Sequence, residues 1–440
     1  MPDPFPYKSQ LELPVIGLEA EFKVFVDGEE TTPEAVWRTP VAFVDRPLLQ
    51  RTSKSLQLPT GGALYFDGGV IEVVTPVIEI APQCTARAVR SLWEQIGFVR
   101  GQLDWWEAHT GRDVRLQAFS CHVNISFELP REERGSNRTV QKLALLLAHL
   151  LPVPAIVAGA NRRSTGIGVR PRRERIEITA DFTPDPGLMA ATVALIVGIT
   201  RDVIGWPSYR VEELDARGVP RLADVAPGRH PSRNGWVTRD FHFPRNPFEG
   251  DLDAEVWRTA DGRSIALRAL ARETVMLFGD AIRAVADPFS VHLLLSLVRG
   301  ETPALLDLDH RPAAYDDVGR TIRWGSVLPE LENFAALMPG DAPRRRSADL
   351  EEKLAPPWSG ASHERPTLER RAPAPLPSPR RLTRSAYERV FLKLGGRQPL
   401  RIGRELLTPV RVKGWYHSVF RAPDGEERLL SIDQLRRVQY

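Results

Sequence analysis

The chain has 440 residues, 42% of them hydrophobic and 26% charged, the ordinary balance of a globular protein and not that of a disordered or membrane-spanning one. A formal net charge of +3 is small for this length and argues against nucleic acid as a partner. Two cysteines, Cys84 and Cys121, stand far apart with no CxxC pair, which excludes a disulfide framework and a zinc signature and suits a reducing cytoplasm.

The opening stretch MPDPFPYKSQ lacks the charged start and apolar core of a signal peptide, so a cytoplasmic location is expected. Residues up to about 80 are strand-like and punctuated by Gly and Pro. VIGLEAEFKV, from Val15, is a strand with an apolar back (Ile16, Leu18, Ala20, Phe22) and Glu19, Glu21 and Lys23 on its front. GGALYFDGGVIEVVTPVIEI contains two glycine pairs and a β-branched run, the pattern of a hairpin and strand. From Ala81 the apolar spacing turns helical, with Gly111 as the stop. VRLQAFSCHVNISFELP is a strand again, and Thr139 to Leu151 is helical. The apolar run LALLLAHLLPVPAIVAGA contains Pro152 and Pro154 and reads as a buried helix ended by its prolines, not a membrane span. RRERIEITADF is a strand, and a helix starts near Pro186. Residues 205–262 are rich in Gly, Pro, Arg and aromatics with little periodicity, which predicts a long functional loop or insertion. Helices resume from about Ser264 to Ala286. Residues 339–381 read as a Pro/Arg-rich linker. From about Leu382, ERVFLKLGG, PVRVKGWYHSVF and RLLSIDQL read as short strands of a small β module of barrel type, SH3-like.

Four of these strands share one asymmetry: an unusual polar residue stands among apolar ones. Glu19 and Glu21 do so in the first, and Glu72 in DGGVIEVVTP. His122, Asn124 and Ser126 share a face in FSCHVNISF, as do Arg173, Arg175, Glu177 and Thr179 in RERIEIT. An antiparallel sheet can pack one face on helices and open the other to a cleft. Stacked together, these strands would line the cleft with carboxylates, His122, Asn124 and arginines. Carboxylates in one wall suit hard cations bound through oxygen, Mg²⁺ or Mn²⁺. Arginines beside them can clamp phosphate oxygens. The set points to phosphoryl transfer from a metal nucleotide.

In order, GLEAEF (Gly17 to Phe22), GGVIEVVTP (Gly68 to Pro76), HVNIS (His122 to Ser126) and RRERIEITAD (Arg172 to Asp181) resemble the glutamine synthetase and glutamate–cysteine ligase superfamily. The bacterial carboxylate–amine ligases and predicted amidoligases look nearest. The resemblance covers about residues 12–200 well and 260–335 loosely, and it does not reach the C-terminal segment. It implies an α+β fold: a curved antiparallel sheet backed by helices, with ATP and an acid substrate entering a funnel on its concave face. Residues 1–338 would then be a carboxylate–amine ligase-like catalytic domain, with 205–262 as its specificity loop or insertion and 382–440 as the appended module. By residue-by-residue transfer, Glu19, Glu21, Glu72 and Glu177 hold Mg²⁺ (or Mn²⁺). His122, Asn124, Ser126, Arg172, Arg173 and Arg175 bind the nucleotide, and Arg173, Arg175 and His122 take part in catalysis. The family reaction runs through an acyl phosphate that an amine displaces to give an amide. Small-molecule or peptide carboxylates and amines are the implied substrates. Homo-oligomers are common in the family, and the C-terminal module is a candidate contact for a protein.

Two departures matter. Asn124 stands where relatives often carry a second His, and it cannot carry a proton or a charge. Thr179 stands where glutamine synthetases carry an arginine that helps hold glutamate, so glutamine synthetase itself is not implied. Arg210, Arg229, Arg233 and Arg239 are candidates for gripping an acidic substrate. Two other readings of the same residues stay open: a phosphotransferase of this fold, guanidino kinase-like, and a non-catalytic binding descendant.

Overall fold

A computed structural model describes residues 11–128, 137–231, 233–319 and 383–440. The linker expected at 339–381 lies outside them. The protein is a mixed α+β structure built on one large open sheet with helices behind it. The main path of the sheet is formed by β1 (Val15–Val26), β2 (Leu49–Thr52), β3 (Ser55–Gln57), β4 (Ala63–Asp67), β5 (Val70–Val74), β6 (Val114–Ser126), β7 (Ile167–Pro171), β8 (Arg175–Ala180), β9 (Gly228–Arg229), β10 (Trp236–Thr238), β11 (Glu405–Lys413), β12 (His417–Arg421) and β13 (Glu427–Ser431). Across the sheet they run β9-β10-β7-β8-β6-β1-β5-β4-β3-β2-β11-β12-β13. Among the described strand pairs every pairing is antiparallel except β2 with β11, which meet in parallel at Gln50 and Arg411.

The period-2 pattern of β1 sorts as expected. Ile16, Leu18, Ala20 and Phe22 are fully buried against the helical layer, each large side chain contributing about 1.5–3 kcal/mol of burial. The β4–β5 hairpin turns on Gly68 (φ 58°) and Gly69 (φ 92°), two successive left-handed positions that a type I′ turn demands and glycine fills without steric cost. That turn fixes the register that sets Tyr65 opposite Glu72.

The helical layer contains α1 (Cys84–Thr110), α2 (Val140–Leu150), α3 (Pro152–Gly159), α4 (Pro186–Ile204), α5 (Leu267–Leu277), α6 (Gly279–Val285) and α7 (Pro288–Arg299). Helix α1 stops at Gly111, φ 71°, as its sequence predicts. Asp185 caps α4 by accepting from Gly187 and Leu188 N–H at 2.8 and 3.0 Å, and Pro186 sits at the first helical position. The 19 residues of α4 are long and apolar enough to cross a membrane, yet 89% of its most apolar stretch is buried inside the protein. The prolines of LLPVPAIVAGA do not simply end a helix. Leu151 closes α2 and Pro152 opens α3 at a 58° bend, because proline tolerates the first turn of a helix but not its interior.

Residues 205–262 are mostly irregular but contribute β9 and β10, which extend the sheet beyond β7. The C-terminal segment differs from expectation at ERVFLKLGG, which is helix α8 (Ala386–Gly395) and not a strand. Tyr387, Val390, Phe391 and Leu394 are its large buried apolar side chains, a helical spacing, and Ser385 with Glu388 forms a capping box. The segment closes with α9 (Ile432–Arg437). Its strands continue the main sheet through β11, and α8 docks beside α1. There Arg90 of α1 and Glu388 of α8 pair at 2.7 Å with both side chains buried, and Arg384 bridges Glu94 and Glu388.

That buried pair carries a prediction. Glu388→Ala leaves the charge of Arg90 without its nearest carboxylate, and the loss is expected to be about 3–5 kcal/mol in urea unfolding. Glu427→Ala, which removes an exposed partner of Arg421, is expected to cost less than about 1 kcal/mol. Equal small losses would show that α8 is not anchored by this pair.

Candidate functional site

The polar residues picked from the sequence meet on the face of the sheet opposite the helices, because directly paired residues share a face. Three rows of partners cross the strands. One runs Arg170–Glu177–Asn124–Gly17. The next runs Thr179–His122–Glu19–Val74. The third runs Ser120–Glu21–Glu72–Tyr65. A bulge lies just past the last row: β6 carries one extra residue, Phe119, where β1 steps from Glu21 to Phe22. Bulges re-aim side chains, and this one lies next to Ser120, whose hydroxyl donates to Glu21 Oε2 at 2.5 Å.

The four glutamates do not share one fate. Glu21 and Glu72 come together with Asp67, the three offering oxygens within 4.8 Å of one another. Burial comes first, and then the charges of Glu19, Glu21, Asp67 and Glu177, in pushing the Glu72 carboxyl up to about 9. A carboxylate so disfavoured among its like-charged neighbours is relieved by a cation, and an all-oxygen donor set suits Mg²⁺ or Mn²⁺. Glu19 instead bonds His122 Nδ1 at 3.0 Å. Glu177 is enclosed by arginines. Arg172 donates two bonds to it at 2.8 and 3.2 Å, Arg170 pairs with it, and Arg175 lies at 3.8 Å. Burial raises its carboxyl, but the Arg172 hydrogen bond and the Arg170 charge outweigh that and hold it below the usual range. Glu177 is therefore compensated already, whereas Glu72 is not.

His122 joins the two halves. Arg170 Nη2 lies 3.1 Å from His122 Nε2, and an arginine nitrogen only donates. His122 therefore accepts at Nε2 and donates from Nδ1 to Glu19, the neutral tautomer, and Nε2 also lies 3.9 Å from Glu21. Arg175 donates to Asn124 Oδ1 at 2.6 Å. Ser126 is occupied by backbone: its hydroxyl donates to Val15 C=O at 3.0 Å and accepts from Val15 N–H at 2.7 Å. Arg173 does not share the strand face, because β8 starts only at Arg175 and Arg173 sits exposed in the turn from β7.

Of the four arginines proposed from residues 205–262, three gather on the β7 side. Arg229 stacks 3.9 Å from the Trp236 ring. Burial and the charges of Arg170, Arg233 and Arg239 push the His230 imidazole down, which places these groups around one another. Gly235 permits this approach: a Cβ there would lie 2.7 Å from Val169 O and 2.9 Å from Arg170 Cγ. Arg210 stands apart, at the start of a short helix.

Sequence reasoning missed Arg170, Asp67 and Ser120. Arg170 is 3% exposed and leaves its Nε without a partner. A lone Arg in the apolar strand IGVRP was its available signal. Asp67 precedes GG and reads as a turn residue, although it lies two positions from Tyr65 and hence on the Glu72 face.

Beside these rows opens a cleft of about 80 Å³, several times what one water requires. Glu19, Asn124, Ser126 and Arg175 line it together with Trp415 and Tyr416 of the C-terminal segment.

No protein-family model and no curated protein matches the chain. Among solved structures, the chain is similar to the "Crystal structure of the complex between Prokaryotic Ubiquitin-like Protein Pup and its Ligase PafA", at 11% identity and a TM-score of 0.43, over 97% of this chain and 91% of that chain. A likeness of that degree carries no part of the functional reading, which rests on the residues themselves.

The raised Glu72 carboxyl gives a pH prediction. Its folded value near 9 stands above the unfolded value of about 4.3, so the folded state binds more protons between them. Stability of the metal-free protein is then expected to fall as pH rises through that window. Glu72→Gln should flatten the fall in thermal melts, and added Mg²⁺ should oppose it most at the alkaline end. A melt in which wild type and variant keep parallel pH profiles contradicts the carboxylate cluster.

Proposed function

We propose that the chain is an ATP- and Mg²⁺-dependent carboxylate–amine ligase that forms an amide or peptide bond through an acyl phosphate. One observation carries this reading: a carboxylate trio (Glu21, Asp67, Glu72) and an arginine set (Arg170, Arg172, Arg175) flank His122 at a single sheet face. A carboxylate and a triphosphate repel one another, and a ligase must bring them within bonding distance. Glu21, Asp67 and Glu72 would hold a divalent ion, which when bound would neutralise triphosphate charge.

The chain's own groups supply the rest. Arg172 and Arg175, half-exposed beside Glu177, can turn to phosphate oxygens and take up charge that develops on them. Arg170 and Glu19 hold His122 from both ring nitrogens, fixing its plane. The arginines gathered beyond β7 (Arg229, Arg233, Arg239) would favour an acid substrate entering from that side. The substrate carboxylate oxygen attacks the γ-phosphorus and ADP leaves. The amine nitrogen then attacks the acyl carbon, phosphate leaves with the acyl–oxygen bond broken, and the amine gives up a proton.

The test is mass spectrometry of products after incubation with ATP, Mg²⁺ and a mixture of acids, amines and peptides. An amide with equimolar ADP and phosphate is expected. A phosphorylated guanidine without an amide would instead favour a phosphotransferase, and ATP left unconsumed would favour a binding protein. Asp67→Asn and Glu72→Gln should each lower turnover about 100-fold or more while the protein still melts cooperatively. Arg173→Ala, in the exposed turn, should change turnover by no more than about 3-fold.

A further inference from the structure

The C-terminal segment contributes a wall to the cleft, and the chemistry of that wall is specific. Trp415 and Tyr416 occupy the turn between β11 and β12, and with Val15, Val74 and Val77 they line the cleft. Both aromatic residues are only partly buried. Glu19, Asn124 and Arg175 give the same lining a polar part. Burial and then the Glu174 charge raise the Tyr416 phenol, while Arg175 lowers it, so Tyr416 lies within electrostatic reach of Arg175. Glu128 and Glu174 share the lining with Glu19, and Arg175 is its cation, so a ligand that fits has a flat, weakly polar body, and an anionic end belongs beyond the cleft, past Arg175.

The turn is also held in place by a dedicated residue. Arg51 of β2 is 8% exposed. Its guanidinium stacks 4.0 Å from the Trp415 ring, donates to Gly414 C=O at 2.6 Å, to Gln57 Oε1 at 2.7 Å and to the Tyr65 hydroxyl at 3.0 Å. Phe391 of α8 meets the same indole edge-on at 5.0 Å. Tyr65 pairs in register with Glu72. One cation therefore ties the aromatic turn to β4, the strand that carries Asp67 and pairs with Glu72. A surface module without a part in the site would not need its loop fixed from inside the sheet.

We propose that this cleft is the base subsite of a nucleoside triphosphate, with the ring seated against Trp415 and Tyr416 and the phosphates running past Arg175 toward the carboxylate trio. Arg51 is its positioning residue. The proposal rests on the ligase reading for the identity of the anionic end, and it makes the C-terminal segment a part of the site and not a separate binding module.

The experiment compares calorimetric binding of Mg-ATP and Mg-tripolyphosphate to the full chain, since tripolyphosphate carries the anionic end without the base. Trp415→Ala is expected to weaken ATP about 10-fold, the value of one base–aromatic stack, and to leave tripolyphosphate within about 2-fold. Trp415→Phe should recover most of the ATP affinity. Arg51→Met should show the same selective loss, because it releases the turn without touching the phosphate side. Photolabelling of the wild type with an azidoadenine analogue of ATP adds a readout that does not depend on any variant folding. The label is expected on the peptide containing Gly414 to Tyr416. Label elsewhere, or equal losses of both ligands in Trp415→Ala, overturns the base subsite and leaves the ligase reading standing. A wild type that binds neither ligand overturns the ligase reading, and the subsite with it.

Discussion

Carboxylates on neighbouring strands cannot move apart. Once β1 pairs with β5, Glu21 and Glu72 are direct partners, and residues so placed have Cβ atoms only about 5 Å apart. Like charges opposite one another destabilise a sheet, and burial adds a desolvation cost to each. The sheet keeps this arrangement because its other face is fully apolar. Ile16, Leu18, Ala20 and Phe22 on β1 and Ile71 and Val73 on β5 are all buried, and a one-residue slip would turn them outward. The hydrophobic face therefore dictates register, and register holds the acidic groups together. Concentrated negative charge on this surface follows from a core that sits on the opposite side.

The same rows separate charge by sign. On the β5 side, no arginine or lysine among the described residues forms an ion pair with Glu21, Asp67 or Glu72, and on the β7 side Glu177 is surrounded by three arginines. His122 lies between, bonded to Glu19 on one ring nitrogen and to Arg170 on the other. A substrate pair of like charge needs both kinds of surface: one to collect a cation and one to meet phosphate or carboxylate oxygens directly. Neither a purely acidic nor a purely basic face would bring two anions together. Compensating Glu177 internally also has a chemical use. The arginines around it are held in place by its charge before any phosphate arrives, so less reorganisation is needed when one does.

Which parts of this were legible in the sequence follows from the range of each signal. Alternation along a strand is local, so the front of β1, β5, β6 and β8 could be read from residues two apart. Pairing in register then follows from four such strands packing on one helical layer. Arg170 and Asp67 escaped because their roles arise only from cross-strand neighbours: Arg170 gains its function from Glu177 opposite it, and Asp67 from Glu72 on the partner strand of its hairpin. Arg173 was misplaced for a related reason, since strand periodicity was extended into a turn whose Arg172 N–H bonds Arg175 C=O. The helix at ERVFLKLGG was missed because a short apolar run fits either period. Its capping Ser385 and Glu388 lie at the edge of the run, and only their spacing distinguishes a helix start from a strand.

The C-terminal segment shows why composition alone misjudges a domain. A Pro/Arg-rich stretch followed by short β-branched runs suggests a tethered module, yet residues 383–440 are joined to the rest by buried charge and close backbone contact. Gly395 comes so near Leu58 that a Cβ there would overlap its carbonyl. Arg90 and Glu388 are removed from water together, and Arg51 is buried beneath the turn that carries Trp415. Buried ion pairs contribute little net stability against apolar alternatives, and they penalise any docking that leaves one partner alone. An apolar patch tolerates sliding, whereas Arg51 satisfies Gly414 C=O, Gln57, Tyr65 and the indole face in one placement only. The contacts that hold this segment are thus of the kind that fix a position, and the position they fix puts two aromatic rings in the lining of the charged cleft.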